Sequence, residues 1–158
     1  MTATTIGNLD ALSARVLTEG YGPGAWHGPD LKAALADVHD ELAFWRPGGS
    51  RHNIAEIAVH HAYCTRNVYA KITGRDPGAF VVDGDDWFDV PNTMSWQAIQ
   101  DVIEREQSRL VAADSDIATG RITSPLSPSE RFDLVLGITC HAVYHAGQVQ
   151  LIKRLRQG

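Results

Sequence analysis

Apolar residues recur at three- and four-residue spacing along most of the chain, a rhythm that predicts helices. Ile6, Leu9, Leu12, Val16 and Leu17 mark a first helix over about Thr4–Glu19, stopped by Gly20-Tyr21-Gly22-Pro23-Gly24. After a loop, Leu31, Leu35, Val38 and Leu42 predict one shorter amphipathic helix, closed by Arg46-Pro47-Gly48-Gly49. Asn53 can cap the next helix, and Glu56 three residues on can reach back to it. That helix runs from Ile54 to about Thr73, where Gly74 ends it. Ser95 opens a third long helix, with Trp96, Ile99, Ile103 and Leu110 on one side, reaching about Ala113. Ser127-Pro128-Ser129-Glu130 combines a cap, a proline at the first helical position and an acidic third position. It starts a last helix that continues to about Arg156.

No strand-period run competes with these helices. The stretch from Gly74 to Thr93 has neither period, and such a length is unusual unless the chain must travel back along a helix. That need arises when the second and third long helices are parallel neighbours. The expectation is an all-α four-helix bundle forming one domain over 1–158. It has a long crossover between the second and third long helices and one extra short helix.

Composition narrows the function classes. At 158 residues the chain supports one core and not two comfortable ones. A net charge of −5, with no Lys/Arg run longer than the Lys153-Arg154 pair, disfavours nucleic acid as a partner. No stretch approaches the ~20 apolar residues that span a bilayer, so no membrane is expected. Met1 to Gly7 lacks a charged start and an apolar run, so no secretory signal is read. Cys64 and Cys140 form no CxxC pair and read as small core residues. A cytoplasmic protein is the expectation.

The chemistry concentrates in histidines. Leu134, Ile138, His141, His145, Val149 and Ile152 form one stripe of the last helix, so two imidazoles one turn apart stand where core residues belong. Buried imidazoles need partners at both ring nitrogens, and adjacent ones can share a cation while neutral. The second long helix offers a third ligand in His60 or His61. By periodicity Ile54, Ile57, Cys64, Val68 and Ile72 define its buried face, and His61 lies nearer the centre. Glu56 is explained by capping, and no residue stands out as a general base. Trp26-His27 and Trp87-Phe88 fall in irregular stretches, where they either wall a pocket or dock on the core. Lys153, Arg154 and Arg156 suit the negative end of the last helix dipole.

Two segments, Ile54-Ala55-Glu56-Ile57-Ala58-Val59-His60 and His141-Ala142-Val143-Tyr144-His145-Ala146-Gly147-Gln148, resemble the paired motifs of the DinB/YfiT-like superfamily of small four-helix metal-binding proteins. The resemblance covers most of the chain, including the helix count and the long connection. It departs at His61, where Leu or Ile is common, and at His52-Asn53, where a Trp often stands. The resemblance implies His60, His141 and His145 as metal ligands, with His61 in reserve. It implies a divalent metal ion (Zn, Ni or Fe) acting on a small-molecule substrate with a low-molecular-weight thiol, as a thiol-dependent S-transferase or hydrolase. It also points to a homodimer, and a non-catalytic stress-related metal-binding protein is the alternative.

Overall fold

A computed structural model of the protein describes residues 3–158, and side chains from residue 9 onward. Ile6 of the first apolar stripe lies outside the described side chains. Six helices are present among the described residues, with no strand: α1 (Ala3–Gly20), α2 (Leu31–Leu35), α3 (Asp40–Phe44), α4 (Ile54–Thr73), α5 (Trp96–Ala118) and α6 (Pro128–Gln157). No helix among them is long and apolar enough to cross a membrane.

The four long helices assemble as two parallel pairs. α1 lies along α6 with matching direction: Arg131 pairs with Asp10 at 2.8 Å, and Thr139 Oγ1 donates to the Val16 carbonyl at 3.2 Å. Gly20 permits this approach, since a Cβ there would meet the Thr139 backbone at 2.9 Å. α4 and α5 are likewise parallel. The Trp96 amide at the start of α5 donates to Asp40 of α3, beside the start of α4, and further along Arg109 stacks on Tyr69 at 4.1 Å. α4 and α6 are antiparallel, with Cys64 and Val68 of one opposite His141 and Leu134 of the other. The long crossover does return the chain to the start of α4, as the expected parallel pair requires.

Local signals explain most boundaries. Asn53–Glu56 and Ser127–Glu130 both form reciprocal capping boxes, and Gly74 ends α4 at φ 68°, a left-handed geometry that favours glycine. Two expectations need correction. The single short helix is two, because His39 takes an extended conformation and its ring accepts from the Leu42 amide, starting a new helix. α5 continues past Ala113 to Ala118, since Ala113 and Asp114 are buried against the bundle and its C-cap comes only at Thr119. The basic end of α6 also does more than complement a dipole. Lys153 is buried, donates to the Ala34 carbonyl at 3.1 Å and pairs with Asp37, tying α6 to α2.

Candidate metal centre

α4 and α6 meet through imidazoles. His60 and His145 are buried and His141 is half-buried. His141 Nε2 lies 3.0 Å from His60 Nε2 and 3.1 Å from His145 Nε2. Four tetrahedral nitrogens at ~2.0–2.1 Å from a zinc ion stand about 3.3 Å apart, so these separations come within a few tenths of an ångström of a ligand set. One donor atom from each of the three lies within 4.8 Å of the others, and the group could hold a metal ion.

The outer nitrogens explain why His60 and His145 present lone pairs at their inner ones. His60 Nδ1 lies 2.9 Å from the Asp86 main-chain oxygen and 3.2 Å from its carboxylate, so it carries the hydrogen and donates. His145 Nδ1 lies 2.6 Å from Gln148 Oε1, and Gln148 Nε2 in turn donates to the Tyr144 hydroxyl at 3.1 Å. A ring whose Nδ1 donates has an unprotonated Nε2, the form a metal takes. Two such lone pairs aimed at one neighbouring nitrogen suit a shared cation.

Burial holds His141, His145 and His61 toward the neutral form. Burial, then the neighbouring His145 and His60, push His141 down to about 4, against a smaller opposing pull from Asp86. Burial also lowers His145, although Gln148 works the other way. His61 is held well below its ordinary value, first by burial and then by the histidines around it. Neutral imidazoles are the ligating form, so a cation can bind at neutral pH without net loss of a proton from these rings.

His61 is more deeply buried than His60, as its place on the apolar stripe predicts. Its Nδ1 faces the other side of His141, 2.9 Å from that ring's Nδ1, and its Nε2 lies 3.3 Å from Thr65 Oγ1. Two groups among the described residues could hold a metal ion, His60 with His141 and His145, and His60 with Cys64 and Asp86; both contain His60 and neither contains His61.

Several neighbours complete the site, among them Trp87, which walls a cavity as one of the two expectations for it had it. Trp87 stacks between two imidazoles, at 3.7 Å from His52 and 4.0 Å from His60, and so covers one face of the cluster. Phe88 beside it is buried in the core, while Trp26 is 89% exposed and does neither of the things expected of it. Asp86 reaches His60 from the irregular crossover, where no periodicity could have placed it. Gln148 had a weak signal, standing three residues after His145 on the same helix face. Glu56 is confirmed as a cap and is also held by Arg46 and His52. Burial alone would raise its carboxyl, but those hydrogen bonds outweigh burial and bring it below the usual range. It is a committed structural anion.

Cys140 is exposed on the outside of α6, which corrects the core reading for that residue. Cys64 is half-buried, with Sγ 3.9 Å from His60 Nε2. It lines a cleft of about 320 Å³ between α4 and α6, together with Val68, Lys71, Leu134, Gly137 and His141. Volume alone does not pick this cleft, because a cavity of about 440 Å³ around Tyr21, Lys32 and Glu104 contains none of the clustered histidines. What distinguishes the α4/α6 cleft is that its inner end is His141 and the thiol beside His60 Nε2.

The DinB superfamily model matches residues 25–149, most of the chain and both histidine segments. This protein belongs to the DinB superfamily. Neither a curated protein nor a solved structure matches the chain. As a DinB-superfamily bundle it has an all-helical architecture carrying a histidine cluster able to hold a metal ion.

Proposed function

We propose that this DinB-superfamily protein binds one divalent metal ion through the Nε2 atoms of His60, His141 and His145, and uses it in chemistry on a small molecule. The observation that carries this reading is the convergence of the Nε2 atoms of three histidines from two antiparallel helices, with those of His60 and His145 held unprotonated. Zn²⁺, Ni²⁺ and Fe²⁺ all accept such a set, and the donor atoms do not choose among them. A divalent ion held by three neutral ligands keeps its full charge and acidifies a bound water or thiol.

The chain's own groups set the limits of that chemistry. His60 is oriented by Asp86 and His145 by Gln148, so the metal-facing nitrogens are fixed before a metal arrives. In the absence of a metal, burial and the Asp86 charge push the Cys64 thiol up to about 11, so it is protonated at neutral pH. With the Cys64 thiol protonated and Glu56 tied to Arg46, we assign the reacting group to the metal or the second substrate. That favours transfer of a low-molecular-weight thiol, or hydrolysis by a metal-activated water, over covalent catalysis by the protein. The α4/α6 cleft supplies apolar walls and a Lys71 cation at its rim for a small substrate.

The outer side of α6 exposes Leu136, Val143, Tyr144, Leu151 and Leu155 at helical spacing, and we assign this face to a second copy of the chain.

The deciding measurement is elemental analysis of purified protein beside its His60→Ala, His61→Ala and His145→Ala variants. Near-stoichiometric metal in the parent, lost with His60→Ala or His145→Ala but restored in His61→Ala by reconstitution with excess Zn²⁺, supports the reading. Metal-free protein throughout, including after reconstitution with Zn²⁺ or Ni²⁺, sinks it.

A further inference from the structure

His141 is engaged at both ring nitrogens. Nε2 faces His60 and His145, and Nδ1 lies 2.9 Å from His61 Nδ1. Beyond His61 the chain of contacts continues inward. Its Nε2 is 3.3 Å from Thr65 Oγ1, and that hydroxyl is 2.9 Å from the His61 main-chain oxygen. Both His61 and Thr65 are buried, so water cannot complete their hydrogen bonds. We propose that His61 and Thr65 are a positioning relay that holds His141 in its ligating tautomer and changes tautomer itself when the metal binds.

The inference rests on the three-histidine site proposed above and follows from counting protons. Without a metal, His60 and His145 both aim lone pairs at His141 Nε2, because their own hydrogens are committed to Asp86 and Gln148. A hydrogen on His141 Nε2 gives one of the two a donor, whereas a hydrogen on Nδ1 leaves three lone pairs facing one another. The metal-free rings therefore favour the Nε2–H form of His141. Its Nδ1 is then an acceptor, His61 donates from Nδ1, and His61 Nε2 accepts from the Thr65 hydroxyl. With a metal on His141 Nε2, the ring hydrogen must sit on Nδ1 and donate to His61. His61 then carries its hydrogen on Nε2 and donates to Thr65 Oγ1, while Thr65 turns its own hydrogen to the His61 carbonyl. On binding, the His61 Nδ1 proton passes to His141 Nδ1, and the His141 Nε2 proton leaves to solvent as the metal takes its place. His61 takes one proton from solvent on Nε2, so each ring holds one proton before and after. Thr65 makes both states possible because a hydroxyl donates and accepts. A neighbour unable to accept would leave the His141 Nδ1–H buried and unpaired in the metal-bound form, a penalty charged against binding.

The test is a two-bond ¹H–¹⁵N correlation spectrum of the histidine rings, recorded on the full chain before and after loading with Zn²⁺. His61 is expected to pass from the Nδ1–H to the Nε2–H tautomer, and His141 from Nε2–H to Nδ1–H. Chelator competition gives the second readout. His61→Leu should weaken Zn²⁺ binding about 10–100-fold, the usual effect of losing an outer partner of a ligand. His61→Asn, whose side-chain oxygen can accept where Nδ1 did, should recover most of it. An unchanged His61 tautomer on loading overturns the relay, and so does a His61→Leu variant that binds as tightly as the parent. The spectrum needs no variant, so a poorly folded His61→Leu does not protect the idea. If the parent takes up no Zn²⁺, the three-histidine reading itself has failed and the relay falls with it. Uptake without a tautomer change sinks the relay alone.

Discussion

His60 and His141 stand 81 positions apart in the chain, yet their Nε2 atoms lie 3.0 Å from one another. Antiparallel packing of α4 on α6 produces this contact, and His145, one turn beyond His141, completes the cluster at 3.1 Å. The lone pairs of His60 and His145 both converge on His141 Nε2, where one hydrogen can serve only one of them and a cation serves both.

Metal should therefore stabilise the fold measurably. At free Zn²⁺ or Ni²⁺ about 1,000 times the dissociation constant, linkage gives roughly 4 kcal/mol. For a chain of this size that is a rise of about 8–16 °C in the thermal midpoint. His145→Ala should abolish the rise. A midpoint indifferent to both metal and chelator in the parent protein would contradict this.

The metal-free protein should lose stability in mild acid. Burial holds His61, His141 and His145 below their ordinary value of 6.5, with His141 at about 4. As the pH falls below 6.5 the unfolded chain takes up protons that the folded chain refuses. Stability is complete above 6.5 and declines toward 4, by up to ~1.4 kcal/mol per pH unit for each histidine. Urea denaturation at pH 7.5 and 5.5 measures the loss, and equal stabilities would contradict the neutral cluster.

Asp114 should act in the opposite sense. Burial, with Asp10 adding to it and Arg131 opposing, pushes its carboxyl up from 3.8 to about 6. The stability this group contributes while protonated in acid is lost as the pH rises through 6. At pH 8 its ionised form costs at most about 3 kcal/mol. Asp114→Asn should be more stable than the parent at pH 8 and nearly equal at pH 4. A variant no more stable at pH 8 would show that Arg131 compensates the charge.

Two helical glycines should respond oppositely to alanine. A Cβ at Gly20 meets the Thr139 backbone at 2.9 Å and Ala142 Cβ at 3.1 Å, so Gly20→Ala must push α1 off α6, at a cost of about 1–3 kcal/mol. A Cβ at Gly137 meets nothing within 4 Å, so Gly137→Ala should gain up to about 1 kcal/mol of helix propensity. Chemical denaturation distinguishes them. Because Gly137 lines the α4/α6 cleft, Gly137→Leu should also obstruct a substrate there while leaving metal content unchanged.

The assigned self-association face predicts that Leu151→Glu reduces the mass seen by sedimentation at micromolar concentration, with metal content and helicity retained. A parent protein already monomeric under those conditions would remove the assignment.

The helices were legible because their signals are local. Asn53 with Glu56, Ser127 with Pro128 and Glu130, and the stop at Gly74 each act within one turn, so neighbours in sequence are neighbours in space. His39 escaped notice because a histidine seldom caps a helix, and nothing in the apolar spacing of Leu35, Val38 and Leu42 interrupts the rhythm. For the site, helical spacing correctly brought His141 and His145 to one place and put His61 on the buried face of α4. Spacing cannot say which of two adjacent imidazoles meets another helix. Successive residues point about 100° apart, and that angle acquires meaning only when α6 is docked. Tertiary packing then turned His60 toward the Nε2 cluster and His61 toward the far nitrogen of His141. It also delivered Asp86 and Trp87 from a crossover without any period. The sequence by itself determined the helices, the histidine-bearing faces and the family, all set by interactions within a few residues. The tertiary structure alone decided which ring nitrogens converge and which residues orient them, because those depend on distances between helices that are far apart along the chain.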